Sequence, residues 1–236
     1  MSESIIELNH VSRQFEVGDQ TVNALQDVTA NINEGDFVVI LGPSGSGKTT
    51  LLNQIGGIDH PTSGDVIVGG EKISSYNESL LTKYRRRKVG WIFQFHNLIP
   101  SLTAGENVKL ALEMANIKSN QDEMVSKALN LVGLGGLENR FPAQLSGGQQ
   151  QRVAIARAIV KNPEIIVADE ATGNLDKSTG AQIIDVMVKI SKEQNSTFCL
   201  VTHDPNLAKS ADRLFIIDDG VLYENDKERM AVYGLS

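Results

Sequence analysis

Gly42-Pro43-Ser44-Gly45-Ser46-Gly47-Lys48-Thr49 satisfies the spacing G-x-x-x-x-G-K-[ST], a run whose chemistry is phosphate binding. Its glycines allow successive backbone N–H groups to converge on phosphate oxygens, and a helix starting directly behind adds its positive dipole end. Lys48 is suited to neutralise β- and γ-phosphates. Thr49, followed by Thr50, offers a hydroxyl to Mg²⁺. A second run, Ile165-Ile166-Val167-Ala168-Asp169-Glu170, places two acids at the end of a short apolar stretch. The carboxyl ends of buried strands are where open α/β sheets bind ligands. Asp169 is then placed to hold Mg²⁺ through a water, and Glu170 to orient or deprotonate an attacking water. An apolar strand ending in two acids is weak evidence alone; behind a phosphate loop it becomes strong.

A third run, Leu145-Ser146-Gly147-Gly148-Gln149, opens a long helical pattern. In isolation it reads as an N-cap and a flexible linker. It also offers a hydroxyl and backbone N–H groups at a helix N-terminus, a second anion cradle. One nucleotide has no need of two cradles on one side.

The elements that must position these residues alternate. Ile5 to Leu8, Phe37 to Leu41, Val66 to Val68 and Val89 to Phe93 are short apolar runs that predict strands, and Thr49 to Ile55 predicts a helix. From Ser101 to Arg140 strand formers thin out, and helical spacing over Thr103 to Ala115 and Gln121 to Val132 predicts an insertion of two or three helices. Alternation then returns: helix Gly147 to Ile159, strand Ile165 to Ala168, helix Ser178 to Gln194 and strand Phe198 to Val201. Leu214 to Ile217 and Val221 to Tyr223 flank Asp218-Asp219-Gly220, a hairpin signal. The expected fold is α/β: a mostly parallel sheet with helices on both faces and antiparallel elements at its ends.

The 236 residues, 41% hydrophobic and 22% charged, suit one large domain without disulfides or structural metal. The single cysteine, Cys199, sits in an apolar strand and reads as a buried structural thiol. No apolar run approaches the ~20 residues that span a bilayer, and Met1 to Asn9 carries no signal-peptide pattern, so a cytosolic chain is expected. The net charge of −7 opposes general affinity for nucleic acid or anionic lipid. Arg85-Arg86-Arg87-Lys88 is a local exception that reads first as a solvated helix end.

In order, GPSGSGKT, Gln94 after the strand Val89 to Phe93, LSGGQ, an apolar strand ending in Asp-Glu, and His203 resemble the ATP-binding-cassette (ABC) ATPase family, from Ile5 to about Tyr223. The resemblance implies a P-loop nucleotidase core formed by residues 1–95 and 141–236, a helical subdomain over about 96–140, and the 145–149 signature at its end. It implies ATP and Mg²⁺ as cofactors, with Gln94 near the metal and attacking water, and His203 on the γ-phosphate beside Glu170. Leu145, Ser146, Gly147, Gly148 and Gln149 would form the signature presented to a partner copy's ATP, with Ser146 and Gly148 contacting its γ-phosphate. Asp176 would lie at the dimer interface, and Phe15 would stack on adenine. The implied partners are a second copy of this chain and a separate membrane permease that holds the chain on the inner face of the cell membrane; no nucleic acid is expected. Asn97 to Thr103 and Thr172 to Asp176 resemble the branch serving lipoprotein release, macrolide efflux and peptide export, which favours export or membrane extraction of a lipophilic or peptide substrate. A non-transporting relative, such as a cell-division mechanotransmitter, would share every motif. Two positions depart from the family pattern: Ala171 stands where proline is usual, and Trp91 is larger than expected.

Overall fold

The computed structural model describes residues 4–235; Met1 to Glu3 and Ser236, parts of the expected 1–236 domain, lie outside the described residues. The chain opens with a long antiparallel hairpin, β1 (Ser4–Val17) and β2 (Gln20–Asn33). Its inner half buries Ile6, Leu8, Val11, Leu25, Val28 and Ile32, while its tip is exposed. Next come β3 (Phe37–Leu41), α1 (Lys48–Ile55), β4 (Ser63–Val68), the short β5 (Glu71–Lys72), α2 (Glu78–Lys88) and β6 (Val89–Ile92). Strands β2-β1-β4-β5 form one antiparallel sheet.

Between β6 and β7 only helices occur: α3 (Ala104–Met114), α4 (Gln121–Leu131) and α5 (Gly147–Ile159), besides a short 3-10 turn at Pro142–Gln144. Thr103 caps α3 from outside, accepting from the Glu106 N–H while the Glu106 carboxylate accepts from the Thr103 N–H. The chain then runs through β7 (Ile165–Asp169), α6 (Lys177–Gln194), β8 (Thr197–Thr202), β9 (Arg213–Asp218), β10 (Val221–Glu224) and α7 (Lys227–Val232). The second sheet has the order β10-β9-β3-β8-β7-β6, parallel throughout except for β10.

This sheet is buried on both faces, which is why β3 and β8 are apolar without alternation. Phe37, Val39 and Leu41 point to the layer of α3, α4, α5 and α6. Val38, Ile40 and Cys199 point to α1, α2 and the antiparallel sheet. The Cys199 thiol is free and fully buried, and burial pushes it up to about 12, so it stays protonated and inert. The Asp219-Gly220 turn carries positive φ at both residues (44° and 79°), the geometry that joins twisted strands tightly.

The expected mixed α/β architecture is therefore present. The strand expected at Ile5 to Leu8 is only the start of β1, and β2 and α7 carry no sequence signal strong enough to predict them. Arg85 to Lys88 do form a helix end, that of α2.

Candidate nucleotide site

The phosphate loop bridges β3 and α1, and its shape is fixed by close approach. A Cβ at Gly42 would come within 2.4 Å of the Ile217 carbonyl, and one at Gly47 within 2.3 Å of the Ala24 carbonyl. Gly47 also has φ 107°, which side chains rarely adopt, and caps α1 without any side-chain hydrogen bond. The first N–H groups of α1 therefore remain available to an anion. From behind, the Gly220 N–H donates to the Ser46 carbonyl (2.9 Å), so the β9–β10 turn braces the loop. Pro43, Ser44 and Gly45 are exposed, Thr50 is half-buried, and the buried Ser46 hydroxyl has no partner among the described residues. Lys48 is buried and donates to the Gly42 and Pro43 carbonyls, each at 2.8 Å. Burial lowers its pKa, against the pull of the Glu170 and Asp169 carboxylates.

The acid pair meets this loop. Thr49 Oγ1 donates to Asp169 Oδ2 at 3.1 Å. Burial raises the Asp169 pKa; the Thr49 hydrogen bond and Lys48 act against it, and the Glu170 charge adds to it. Glu170 turns the chain with φ 44°, and its N–H donates to the Val201 carbonyl of β8 (3.0 Å). The His203 Nδ1 lies 3.2 Å from Glu170 Oε1. A Cβ at Gly173 would meet Gln94 Nε2 and Glu170 Oε2, both at 3.4 Å, so these side chains flank one turn. Asn174 Nδ2 donates to the Gln94 carbonyl (3.0 Å), tying that turn to the end of β6. Lys48, Thr49, Gln94, Asp169, Glu170 and His203 thus gather at the carboxyl ends of β3, β6, β7 and β8.

The remaining candidates stand apart. Ser146 caps α5, accepting from the Gln149 N–H (3.3 Å) while its own N–H donates to Gln149 Oε1 (2.9 Å). Ser146 and Gly147 are exposed and Leu145 is buried. The neighbours of this segment are on and before α6: Gly147 faces Leu175, and a Cβ at Gly148 would come within 2.5 Å of the Thr179 methyl. None of its hydrogen bonds among the described residues reaches the phosphate loop. Asp176 caps α6, accepting from the Ser178 and Thr179 N–H groups and the Ser178 hydroxyl; those bonds hold its carboxyl well below the usual range. Phe15 sits near the hairpin tip, 37% exposed and therefore outside the core. Ala171 buries its methyl.

No cluster of three or more His, Cys, Asp or Glu side chains able to hold a metal occurs among the described residues. The converging Thr49 hydroxyl and Asp169 carboxylate are hard oxygen donors that suit Mg²⁺, which commonly takes few protein ligands and completes its shell with phosphate and water.

The structure also reveals an open groove of about 470 Å³ that motif reading missed, walled by α2, β6, α3 and α5. Trp91, Phe93, Leu110 and Met114 supply apolar surface, and Arg157 and Lys161 supply charge. This accounts for Trp91: its ring stacks on Phe93 (centroids 5.3 Å apart) and packs so tightly on Gly56 that a Cβ there would come within 2.1 Å. The Arg157 guanidinium donates to the His96 and Asn97 carbonyls (2.8 and 2.6 Å), fastening the segment after Gln94 to α5.

A phosphate loop and an Asp-Glu pair meeting at the carboxyl edge of a parallel sheet define a P-loop ATPase. The comparisons with known proteins place it further. The chain belongs to the ABC transporter family, whose model matches residues 25–173. The ABC transporter ATP-binding protein MJ0796 of Methanocaldococcus jannaschii is 45% identical over 230 residues, covering 95% of this chain and 98% of that protein. The lipoprotein-releasing system ATP-binding protein LolD of Legionella pneumophila (strain Lens) is 40% identical over 96% of this chain and all of LolD. The macrolide export ATP-binding/permease protein MacB of Bradyrhizobium diazoefficiens is 41% identical over 98% of this chain, which spans 36% of that longer protein. A solved dimeric structure of the MJ0796 cassette, in a post-hydrolysis state bound to ADP and Pi, superposes with a TM-score of 0.85 at 42% identity, covering 94% of this chain and 98% of that one.

Proposed function

We propose that this chain hydrolyses ATP in two sites shared between two copies of itself, and that the cycle drives a separate membrane permease in exporting or extracting a lipophilic or peptide substrate. The observation that carries the shared site is the separation of the two anion cradles. The 42–49 loop meets the acid pair, whereas the exposed Ser146-Gly147 cradle turns to solvent beside Leu175 and Thr179. A two-fold dimer uses both surfaces reciprocally.

In this reading the N–H groups of residues 42–49 and the Lys48 ammonium bind the phosphates, Lys48 exchanging its bonds to the Gly42 and Pro43 carbonyls for phosphate oxygens. Thr49, Asp169 and Gln94 would hold Mg²⁺, which would supply charge neutralisation to the phosphates. Glu170 accepts a proton from the attacking water, and His203, hydrogen-bonded to it, fixes its orientation. Gln94, on the same turn through Gly173 and Asn174, reports the state of that site. The partner's Ser146 and Gly148 close on the γ-phosphate, and Asp176 joins the two sites.

Two features support the permease. The relatives include a lipoprotein-releasing system subunit and the ATP-binding part of an export permease. The groove beside Trp91 lies against both the segment after Gln94 and α5, whose first turn carries the signature, so an occupant there would touch both arms of the site. Among the described residues no helix is long and apolar enough to cross a membrane. In domain terms, residues 96–140 form the helical arm and the rest the catalytic core.

Glu170→Gln tests the catalytic half of this reading. It should keep ATP affinity, lose turnover by about 10²-fold or more, and run as a dimer on gel filtration only when ATP is present. Near-normal turnover would remove Glu170 from the role of base.

A further inference from the structure

Arg13 belongs to none of the motifs, yet among the described residues it joins the outer part of the hairpin by an ion pair to Asp59, in the turn that follows the phosphate-binding helix. Its guanidinium lies 4.4 Å from the centroid of the Phe15 ring, on the same side of β1 two residues away. Its Nε donates to Asp59 Oδ2 at 2.7 Å, and both side chains are only about a quarter exposed (24% and 26%). Asp59 is fixed in turn. Its N–H donates to the Asn53 carbonyl (3.2 Å), its Oδ1 accepts from the His60 N–H (2.9 Å), and Gln54 Nε2 approaches its Oδ2 (3.5 Å). Asn53 and Gln54 belong to α1, the helix whose opposite end carries Lys48.

The β1–β2 ladder pairs Phe15 with Val22, but its register shifts on both sides of Arg13, between the tip and the inner half of the hairpin. Side-chain and loop links also fasten this stretch: the Gln14 N–H donates to Thr62 Oγ1 (3.0 Å), the Thr62 N–H to the Ser12 carbonyl (2.8 Å), and Arg13 to Asp59. Only the last reaches the Phe15 ring.

We propose that Arg13, held by Asp59, is a positioning residue for the purine base of ATP. It covers one face of the Phe15 ring and leaves the other to the base, at a separation from the phosphate loop set through Asp59 and α1. This rests on the reading that Phe15 stacks on the base. A cation over a ring face is favourable by itself. Its larger effect is that the ring is ordered before the nucleotide arrives, so binding loses less side-chain freedom. No base edge is read in this arrangement, so ATP and GTP should depend on Arg13 alike.

The test compares ATP with ribose 5′-triphosphate, which carries the phosphates but no base, by calorimetry on Arg13→Met, Arg13→Lys and Phe15→Ala. Arg13→Met keeps an apolar stem against the ring and removes the charge. It should weaken ATP roughly three- to tenfold, raise KM with kcat nearly unchanged, and leave ribose 5′-triphosphate binding as it was. Arg13→Lys should recover part of the loss, and adding Arg13→Met to Phe15→Ala should have no further effect. Equal weakening of both ligands would mean that Arg13 supports the phosphate loop or the hairpin fold, and would overturn the proposal. So would unchanged ATP binding in Arg13→Met. If Phe15→Ala alone leaves ATP affinity intact, the stacking reading itself fails, whatever Arg13→Met does.

Discussion

The surroundings of Asp169 resist the charge of its carboxylate. Burial is the largest cause of its raised pKa, and the neighbouring Glu170 adds to it, while the Thr49 hydroxyl and Lys48 offset part. An acid whose pKa is raised on folding binds more protons in the native than in the unfolded state between the two values. Stability therefore falls as pH rises through that window. Asp169→Asn can still accept from Thr49 but carries no charge. It should raise the thermal midpoint of the nucleotide-free protein while lowering turnover by about 10²-fold, the pattern of a site that trades stability for chemistry. A lowered midpoint would mean that the Lys48 and Thr49 contacts outweigh burial. At this scale the sequence is most legible, because phosphate and metal chemistry fix residue type and spacing together. Lys48, Thr49, Gln94, Asp169, Glu170 and His203 were all readable and do converge. Trp91 was not, because its role depends on Gly56 and on walls from separate helices. Arg13 and Asp59 were silent for a similar reason, since nothing in the intervening sequence marks two such residues as neighbours.

Elements were readable where burial imposes a period. The α5 bounds match the expected Gly147 to Ile159, and the buried strands β3, β7 and β8 differ by no more than their end residues. Elements with little burial were not. The outer half of β2 is exposed and polar, so no alternation marks it, and α7 has no buried residue at all. The end of α2 shows another device hidden from sequence. Its terminal carbonyls at Arg85 and Arg86 accept from Lys161 Nζ (2.9 and 2.8 Å), a lysine that follows α5. Burial lowers Lys161 to about 8. Since an unfolded lysine titrates near 10.4, the unfolded chain binds the extra proton between those values, and stability should rise as pH climbs from about 8 to about 10.5. Urea titrations at pH 7.5 and 10.5 should show this gain in the parent chain and its loss in Lys161→Met. An equal pH dependence in both proteins would mean that Lys161 is not the titrating group.

At the scale of the whole molecule, the two anion cradles of one chain stand apart, and in the proposed reading a second copy completes each site. The formal charge of −7 on each copy opposes association, so the dimer should depend on ATP and loosen after hydrolysis. The direct measurement mixes Lys48→Ala with Ser146→Arg, each unable to form a complete site with itself. In a mixed dimer one site carries both lesions, while the other combines intact Lys48 with intact Ser146. Occluded ATP, not turnover, is the readout, because coupling between sites can silence an intact one. The account predicts one occluded ATP per mixed dimer and none in either variant alone. Mixed dimers that demonstrably form yet occlude no ATP would contradict the shared site.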